Sequence, residues 1–406
     1  ERSQPEACED ALRATSPRRK SRRDANSVTL VPRLVAIDLH AGPAFEAAVR
    51  SAWNQGDVVF PIDQRLPAPA KHELITRLAA DTVIGPDSVA RPCDQNDSSG
   101  KSEAIVPLCD GDALIIATSG STGVPKGVVH THDSLTASAS MVGERLQLSA
   151  DDHWWLCLPA AHIGGFGVIA RSLHFASRIS YADAIDQTTI YEARDNGANR
   201  TAVVPTLIAR HRFDGWRTVL VGGASSGNLP ENAVATYGLT ETAGGVVYSG
   251  LALDGVHVNV VAGEIMVQTP SLARTYRNAP LPLRNGWFVT GDLGRIVDGR
   301  ILIDGRKDDL IITGGVKVWP GVVEARLREH PLVKDAVVTG APDPEWGSVV
   351  VAYVVCASTQ PPSLELLRNH VKETLSPAHA PVRLSIVDNI PRTTLGKVRR
   401  SELPSV

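Results

Sequence analysis

Short apolar runs alternate with amphipathic stretches through the larger, N-terminal part of the chain. Five runs predict short buried strands: Val28–Ile37, Leu114–Thr118, Trp154–Leu158, Thr201–Val204 and Thr218–Val221. Between them, Asp133–Leu146 and Gly164–Phe175 carry apolar residues at helical spacing. Alternating strands and helices predict an α/β domain of layered sheets.

After Leu251 the pattern changes to an alternation of period two, which predicts a β-rich subdomain. The alternating apolar positions are Val258, Val260, Ile265 and Val267. The segment Arg295–Ile303 contains Asp298-Gly299, a dipeptide typical of a tight hairpin turn.

A compact α+β unit follows Asp304. Its predicted elements are a helix, two strands, a helix and a strand: Val322–Glu329, Ala336–Thr339, Val349–Cys356, Leu364–Leu375 and Leu384–Val387. The charged segment Asp304–Asp309 contains a glycine and suits a hinge. We therefore expect a polar tail at 1–26 that is disordered, a large N-terminal domain at 27–304 and a small mobile C-terminal domain at 305–406.

Length and composition agree with this division. The chain has 406 residues, more than the roughly 250–300 at which a single core stops growing. The net charge of −3 gives no general attraction to nucleic acid, and the absence of a long apolar run predicts no membrane span. Five scattered cysteines without a C-x-x-C pair favour free thiols and a cytoplasmic location. The basic run Arg18–Arg23 is interpreted as a solvated tail, with a nucleic-acid contact as the alternative.

The clearest candidate site is a loop after the strand Leu114–Thr118. It reads Thr118, Ser119, Gly120, Ser121, Thr122, Gly123, Val124, Pro125, Lys126 and Gly127. Glycines let backbone amides turn toward an anion, and the hydroxyls and Lys126 add donors and positive charge, so a polyphosphate is the expected ligand. The spacing differs from the common nucleotide-binding loop, because Pro125 precedes the lysine and Gly127 follows it, so we expect that no helix begins there in the same way. A flexible surface loop is the alternative.

This loop matches every position of [ST]-[ST]-G-[ST]-T-G-x-P-K-G, so the chain resembles the adenylate-forming superfamily of acyl-CoA synthetases, adenylation domains and luciferases. Further motifs of that family follow in the same order along the chain. They are Gly222-Gly223-Ala224, Tyr237-Gly238-Leu239-Thr240-Glu241, Thr290-Gly291-Asp292, Gly305-Arg306-Lys307-Asp308-Asp309 and Pro391–Lys397. The resemblance covers most of the chain and is weak before Leu114.

The resemblance implies a role for each matching residue. Gly222, Gly223 and Ala224 would form the adenine-binding turn, Tyr237 beside Gly238 would pack on adenine, Thr240 would contact the α-phosphate, and Glu241 would hold Mg²⁺. Asp292 and Arg306 would meet the ribose, and Asp308 would be the hinge. Lys397 would be the catalytic lysine, and Gly314 and Gly315 would line the path of the coenzyme A thiol.

A second group of residues bears on the acid substrate. Leu158–Phe166 matches the family's P-x-x-H element beside the acyl site, in which His162 would be a wall or gate and Gly165 part of the pocket. Arg171 could pair with a second substrate carboxylate; an exposed helix arginine is the alternative. Together with Val59–Pro67, this stretch resembles compact o-succinylbenzoate–CoA ligases of menaquinone biosynthesis.

The implied reaction uses ATP, Mg²⁺ and coenzyme A. A carboxylic acid would become an acyl-adenylate, and its acyl group would then pass to the thiol. The nearest alternative is an adenylating enzyme for another aryl or acyl acid that loads coenzyme A or a carrier protein. Two others are a nucleotide-binding regulator without turnover and a phosphate-cleaving NTPase, the last disfavoured by the loop spacing. A homodimer stays open.

One departure from the family pattern lies between Gly223 and Tyr237. Only 13 residues separate them, where the family usually has a helix. Either the helix is deleted or residues are absent from this sequence.

Overall fold

The structure is a computed structural model that describes residues 31–86, 90–92, 105–119, 125–182, 184–223, 229–392 and 398–405. The chain divides into two compact units, Glu1–Val31 and Pro32–Val406. The expected polar tail, 1–26, lies outside the described residues. All described helices and strands belong to the second unit.

The helices follow the amphipathic stretches. They are α1 (Pro43–Asn54), α2 (Ala68–Arg77), α3 (His132–Leu146), α4 (Ile163–Phe175), α5 (Gln187–Asp195), α6 (Pro205–Ile208), α7 (Pro320–Arg328) and α8 (Leu364–Lys372). In α3 the Thr131 hydroxyl accepts from the Ser134 amide at 3.1 Å, a capping box that defines the first turn.

The strands of the first half are β1 (Leu34–Ile37), β2 (Val58–Pro61), β3 (Thr82–Ile84), β4 (Ala90–Pro92), β5 (Asp112–Ser119), β6 (Pro125–Thr131), β7 (His153–Leu156), β8 (Arg178–Tyr181), β9 (Arg200–Val203), β10 (Thr218–Gly222), β11 (Ala233–Leu239) and β12 (Gly244–Tyr248). Those of the second half are β13 (Leu251–Ala252), β14 (His257–Val261), β15 (Glu264–Gln268), β16 (Thr275–Tyr276), β17 (Leu283–Arg284), β18 (Trp287–Val297), β19 (Arg300–Arg306), β20 (Ile311–Thr313), β21 (Val316–Val318), β22 (Val333–Asp343), β23 (Gly347–Cys356) and β24 (Arg383–Ile386).

Within the described residues, two seven-stranded sheets form the large part of the molecule. The first has the order β16-β6-β5-β2-β1-β3-β4 and the second β13-β12-β11-β10-β9-β7-β8. The inner strands of both are parallel, as the alternation of strand and helix predicts. Antiparallel strands form both edges of the first sheet and the β12–β13 edge of the second, whereas β8 at its other edge is parallel. This confirms the expected α/β architecture.

The β-rich part and the C-terminal unit each form a further sheet. The former has the order β14-β15-β18-β17 with β19 on β18, and the latter β21-β20-β23-β22 with β24 on β23. The C-terminal sheet has its own core, drawn from α7, α8 and the sheet, whereas the other core clusters lie before residue 302. Separate cores agree with a small C-terminal domain, while the boundaries 27–304 and 305–406 stay predictions.

Several predicted elements are confirmed and several change length. The predicted helices Asp133–Leu146 and Gly164–Phe175 agree with α3 and α4 within one residue. The predicted hairpin turns at Asp298 and Gly299, both in the left-handed region at φ 49° and 75°. The strand predicted to reach Leu158 ends at Leu156, before Pro159, which lacks an N–H. The expected hinge Asp304–Asp309 is strand as far as Arg306, because β19 pairs with β18 to that point.

Two other predictions differ from the structure. The strand expected at Ala336–Thr339 is longer, because β22 pairs with β23 over its whole length. The helix expected to reach Leu375 ends at Lys372. Among the described residues, no helix is long and apolar enough to cross a membrane.

Candidate active site

The two strands that flank the glycine-rich loop in sequence form an antiparallel pair. β5 ends at Ser119 and β6 begins at Pro125, and the register pairs Thr118 with Lys126. Lys126 therefore lies on a strand, in agreement with the prediction that no helix begins here as it does in the common nucleotide-binding loop. Outside the described residues are the side chain of Ser119 and the whole of Gly120, Ser121, Thr122, Gly123 and Val124.

The predicted magnesium ligand, Glu241, lies in a single 3₁₀ turn, Thr240–Thr242, between β11 and β12. Its Oε1 accepts a hydrogen bond from the Tyr276 hydroxyl at 2.7 Å. The ammonium of Lys126 lies 4.9 Å from the centre of the Tyr276 ring. The structure therefore brings the predicted phosphate-binding lysine and the predicted metal carboxylate to the same tyrosine.

Donors from neighbouring segments hold the backbone of this turn. His130 Nε2 lies 2.7 Å from the carbonyl oxygen of Thr240, and because a carbonyl only accepts, Nε2 carries the proton. Burial lowers the pKa of His130 from 6.5 to about 4, so the ring is neutral at pH 7. The next three carbonyls, those of Glu241, Thr242 and Ala243, accept from Ala273 N, Ser271 Oγ and Ser138 Oγ at 2.7, 3.0 and 3.0 Å.

The residues predicted to meet adenosine also adjoin one another. The Tyr237 hydroxyl donates to Asp292 Oδ2 at 2.8 Å, and Arg306 Nη1 donates to Asp292 Oδ1 at 2.9 Å. Asp292 and Arg306 face each other across β18 and β19. Burial and the neighbouring Asp292 raise the pKa of Tyr237, which keeps its hydroxyl protonated.

The glycines predicted to bind adenine stand at the end of β10, which pairs with β11 so that Gly222 lies opposite Thr236. Gly222 ends β10, Gly223 follows with φ +70°, and Ala224 lies outside the described residues. A Cβ on Gly238 would lie 1.9 Å from the carbonyl oxygen of Gly244, so only glycine fits this point of β11. The described residues between Gly223 and Tyr237, 229–236, contain no helix, in agreement with the short spacing in the sequence.

The predicted acyl element precedes and begins α4. His162 is the residue before the helix, and its Nε2 lies 3.2 Å from Asp63 Oδ2 and 3.0 Å from Arg65 Nη2. Burial works to raise the pKa of Asp63, but hydrogen bonds from Arg65 and His162 outweigh it and hold that pKa below its usual range. A charged carboxylate therefore lies beside His162.

Those contacts join the two stretches, Val59–Pro67 and Leu158–Phe166, that resemble o-succinylbenzoate–CoA ligases. Gly165 lies in the first turn of α4, where a Cβ would lie 2.2 Å from the carbonyl oxygen of Pro159. Gly165 thus permits the close approach of the helix to the preceding loop. A direct role of Gly165 in the acyl pocket stays a prediction.

Arg171, on α4, is buried, with 7% of its surface exposed. The alternative interpretation as an exposed helix arginine is therefore wrong. Among the described residues its Nε has no hydrogen-bond partner, and its guanidinium lies 4.9 Å from the centre of the Trp154 ring. Burial lowers the pKa of Arg171, yet an arginine keeps its charge in proteins, so a buried cation here favours an anionic partner.

The remaining predicted residues lie in the C-terminal part. Asp308 is in the 3₁₀ turn Lys307–Asp309 that follows β19. Gly314 and Gly315 form the turn between β20 and β21, with φ of 54° and 80°, values that favour glycine. Lys397 lies outside the described residues. The hinge, thiol-path and catalytic roles of these residues stay predictions.

The donor set suits magnesium held mainly by a nucleotide. Among the described residues, no group of three His, Cys, Asp or Glu side chains could hold a metal ion. Mg²⁺ usually binds through one or two carboxylates together with phosphate oxygens and waters. Glu241, whose Oε1 is oriented by Tyr276, could supply such a carboxylate.

Three residues of this region were not predicted from the sequence: Tyr276, His130 and Asp63. Tyr276 lies on a two-residue strand that has no detectable periodicity of its own. His130 lies only four residues after Lys126 within a buried run, and a polar residue in an apolar strand was the available signal. Asp63 lies in Val59–Pro67, and the resemblance of that stretch to o-succinylbenzoate–CoA ligases implies no role for it.

Fold and site together define a nucleotide-dependent enzyme. It has two sheets with parallel inner strands, a β-rich part and a small C-terminal unit. A family model described as "AMP-binding enzyme" matches residues 31–265, and one described as "AMP-binding enzyme C-terminal domain" matches residues 322–397. This chain belongs to the AMP-binding enzyme family.

Within this family, the chain is similar to curated ligases of one kind. "Probable 2-succinylbenzoate--CoA ligase" of Mycobacterium tuberculosis (strain CDC 1551 / Oshkosh) is 37% identical over 358 residues, covering 80% of this chain and 93% of that protein. "2-succinylbenzoate--CoA ligase" of Bacillus subtilis (strain 168) is 30% identical over 337 residues, covering 72% and 69%.

A solved structure shows the same fold. It is the o-succinylbenzoate CoA synthetase (MenE) from Bacillus subtilis in complex with the acyl-adenylate intermediate OSB-AMP. Its TM-score is 0.79 at 24% identity, and the alignment covers 92% of this chain and 88% of that chain. The predicted large domain with a small C-terminal domain agrees with this likeness.

Proposed function

We propose that this protein is an AMP-forming acid–CoA ligase that converts 2-succinylbenzoate to its coenzyme A thioester, a step of menaquinone biosynthesis. The family and the relatives support the reaction class. The observation that carries the choice of acid is Arg171: a buried guanidinium on α4, nine residues after His162, whose Nε has no hydrogen-bond partner among the described residues.

The first half-reaction joins the substrate carboxylate to the α-phosphorus of ATP. A carboxylate oxygen attacks, the bond to the bridging oxygen breaks and pyrophosphate leaves. Such transfers depend mainly on positioning and charge neutralisation. Lys126, on β6, would supply one positive charge beside the phosphates. Lys397 would add a second cation where negative charge develops. Bound Mg²⁺ would supply further neutralisation of the phosphates.

In the second half-reaction the thiol sulfur attacks the acyl carbon. The acyl–phosphate bond breaks, AMP leaves with the electron pair, and the thiol proton is lost to solvent or a base. The proposed route follows rotation of the C-terminal domain about Asp308, which would withdraw Lys397 and present Gly314 and Gly315. The two half-reactions would thus use different faces of one small domain.

Arg171 explains why a diacid is the proposed substrate. 2-Succinylbenzoate carries two carboxylates, of which only one is activated, so the other needs a partner in the pocket. A charge-assisted hydrogen bond from a buried guanidinium would supply it. Removing such a bond typically costs about 1.5–3 kcal/mol, roughly 10- to 150-fold in binding.

The test is AMP release with coenzyme A and 2-succinylbenzoate, benzoate or a fatty acid. Arg171→Met should raise the KM for the diacid by about 10-fold or more while changing the KM for benzoate little. Arg178→Met, a change at an exposed arginine shortly after α4, is the matched control. Equal effects of Arg171→Met on diacid and monoacid, or no turnover of 2-succinylbenzoate by the wild type, would contradict the proposal.

The same assay also tests which thiol accepts the acyl group and whether the protein turns over at all. A phosphopantetheinylated carrier protein in place of free coenzyme A distinguishes the ligase from a carrier-loading enzyme. A protein that binds nucleotide but releases neither pyrophosphate nor AMP would be a regulator. Cytoplasmic location and a homodimer remain part of the proposal, the first from the scattered cysteines.

A further inference from the structure

Tyr276 reaches the site through a pairing between distant parts of the chain. β16 is antiparallel to β6, with Tyr276 opposite Val128. Side chains opposite each other share a face of the sheet, and Lys126, two residues before Val128, points to the same face. The register therefore places the Tyr276 ring beside Lys126, and the observed distance of 4.9 Å from ammonium to ring centre agrees.

The other end of Tyr276 contacts Glu241. A carboxylate only accepts hydrogen bonds, so the tyrosine hydroxyl is the donor in the 2.7 Å contact with Oε1. With 6% of its surface exposed, Tyr276 is packed against Val128 and Phe288 and has little freedom to move.

Glu241 and Lys126 carry opposite charges. In the proposed nucleotide site, the carboxylate must stay available for magnesium and the ammonium for phosphate. Although both side chains are described, they form no ion pair with each other: Glu241 Oε1 contacts the Tyr276 hydroxyl, and the Lys126 ammonium lies over the Tyr276 ring. The backbone of Glu241 is already fixed, because its carbonyl oxygen accepts from the Ala273 amide at 2.7 Å. The fixed backbone leaves the Glu241 side chain free to rotate about its own bonds. The hydrogen bond from the Tyr276 hydroxyl restricts that rotation and sets the position of the carboxylate.

We propose that Tyr276 is a positioning residue that holds the Glu241 carboxylate for magnesium and the Lys126 ammonium for phosphate, and keeps these two charges from neutralising each other. The inference rests on the proposed function, because it assigns Tyr276 to the nucleotide site of that reaction. It concerns binding of the metal–nucleotide pair and is independent of which acid is activated.

The experiment measures ATP binding by calorimetry with and without Mg²⁺, in the absence of acid and coenzyme A. Tyr276→Phe removes only the hydroxyl, so the Mg²⁺-dependent gain in ATP affinity should fall by about 10-fold, while affinity without Mg²⁺ stays within about 2-fold. Tyr276→Leu also removes the ring and should weaken ATP binding in both conditions.

The chain offers a matched control. The Tyr181 hydroxyl donates to Glu46 Oε2 at 2.9 Å, the same kind of hydrogen bond on another pair of elements. Tyr181→Phe should leave ATP binding unchanged with and without Mg²⁺. Thermal unfolding of both phenylalanine variants shows whether each is folded. If Tyr276→Phe does not fold, Tyr276→His, which keeps a ring and an N–H donor, should retain part of the Mg²⁺-dependent gain.

The outcomes separate the inference from the proposed function. A Mg²⁺-dependent gain in Tyr276→Phe equal to that of the wild type, or an equal loss with and without Mg²⁺, overturns the positioning role. A wild type that binds Mg²⁺ and ATP but does not ligate 2-succinylbenzoate overturns the proposed function alone. A wild type that binds no ATP overturns both.

Discussion

Gly238 provides a sharp test of how the backbone builds this site. A Cβ there would lie 1.9 Å from the carbonyl oxygen of Gly244, whereas real Cβ atoms essentially never come closer than 3.0 Å. In Gly238→Ala, β11 and β12 must therefore separate by about an ångström at the bulge next to Tyr237. Overpacking typically destabilises by about 1–3 kcal/mol. We expect a loss of about 3 kcal/mol, because both sides of the clash are backbone.

Urea unfolding measures this loss, and ATP binding measures its effect on the site, since Tyr237 and Thr240 flank the position. Gly321→Ala is the matched control. No atom lies within 4 Å of a Cβ there, and the residue is in the first turn of α7. Alanine is favoured in helices by up to about 1 kcal/mol, so the control should be neutral or stabilising. Wild-type stability and ATP affinity in Gly238→Ala would refute the reasoning.

Three further expectations concern single residues. The pKa of His130 is about 4 when folded and 6.5 when unfolded. The unfolded chain therefore binds more protons in that range, so the free energy of unfolding should fall by about 3 kcal/mol as pH decreases from 6.5 to 4. His130→Gln should remove this contribution in urea titrations, and an unchanged pH slope would argue against it. Lys397→Ala should abolish acyl-adenylate formation yet retain thioester formation from preformed adenylate, and equal loss of both would exclude its proposed role. Asp308→Pro should preserve pyrophosphate release and impair coenzyme A-dependent AMP release; a mutant normal in both would exclude the hinge.

Local features of the chain were predictable where one segment carries the whole signal. α3 and α4 have apolar spacing along their full length, and the hairpin at Asp298-Gly299 depends on two adjacent residues that tolerate left-handed backbone. The motifs that resemble the family, among them Tyr237–Glu241, are likewise contiguous in sequence. Each could therefore be recognised without knowing what it packs against.

Elements defined by their neighbours could not be predicted in this way. β16 has two residues and exists because β6 offers hydrogen bonds at the edge of its sheet. The first part of the predicted hinge is strand because Arg306 lies opposite Asp292. The sequence pattern also left open whether Arg171 is exposed, since helix α4 is largely apolar and shows no clear polar face.

The sequence by itself determined the order of elements, the class of reaction and the chemical type of each candidate group, because these follow from contiguous patterns. Only the tertiary structure decided which groups meet: Tyr276 between Lys126 and Glu241, and Asp63 beside His162. The physical reason is that strand pairing and core packing join segments far apart in the chain. Hydrogen bonds and charge interactions act over a few ångströms in space, however many residues separate the partners.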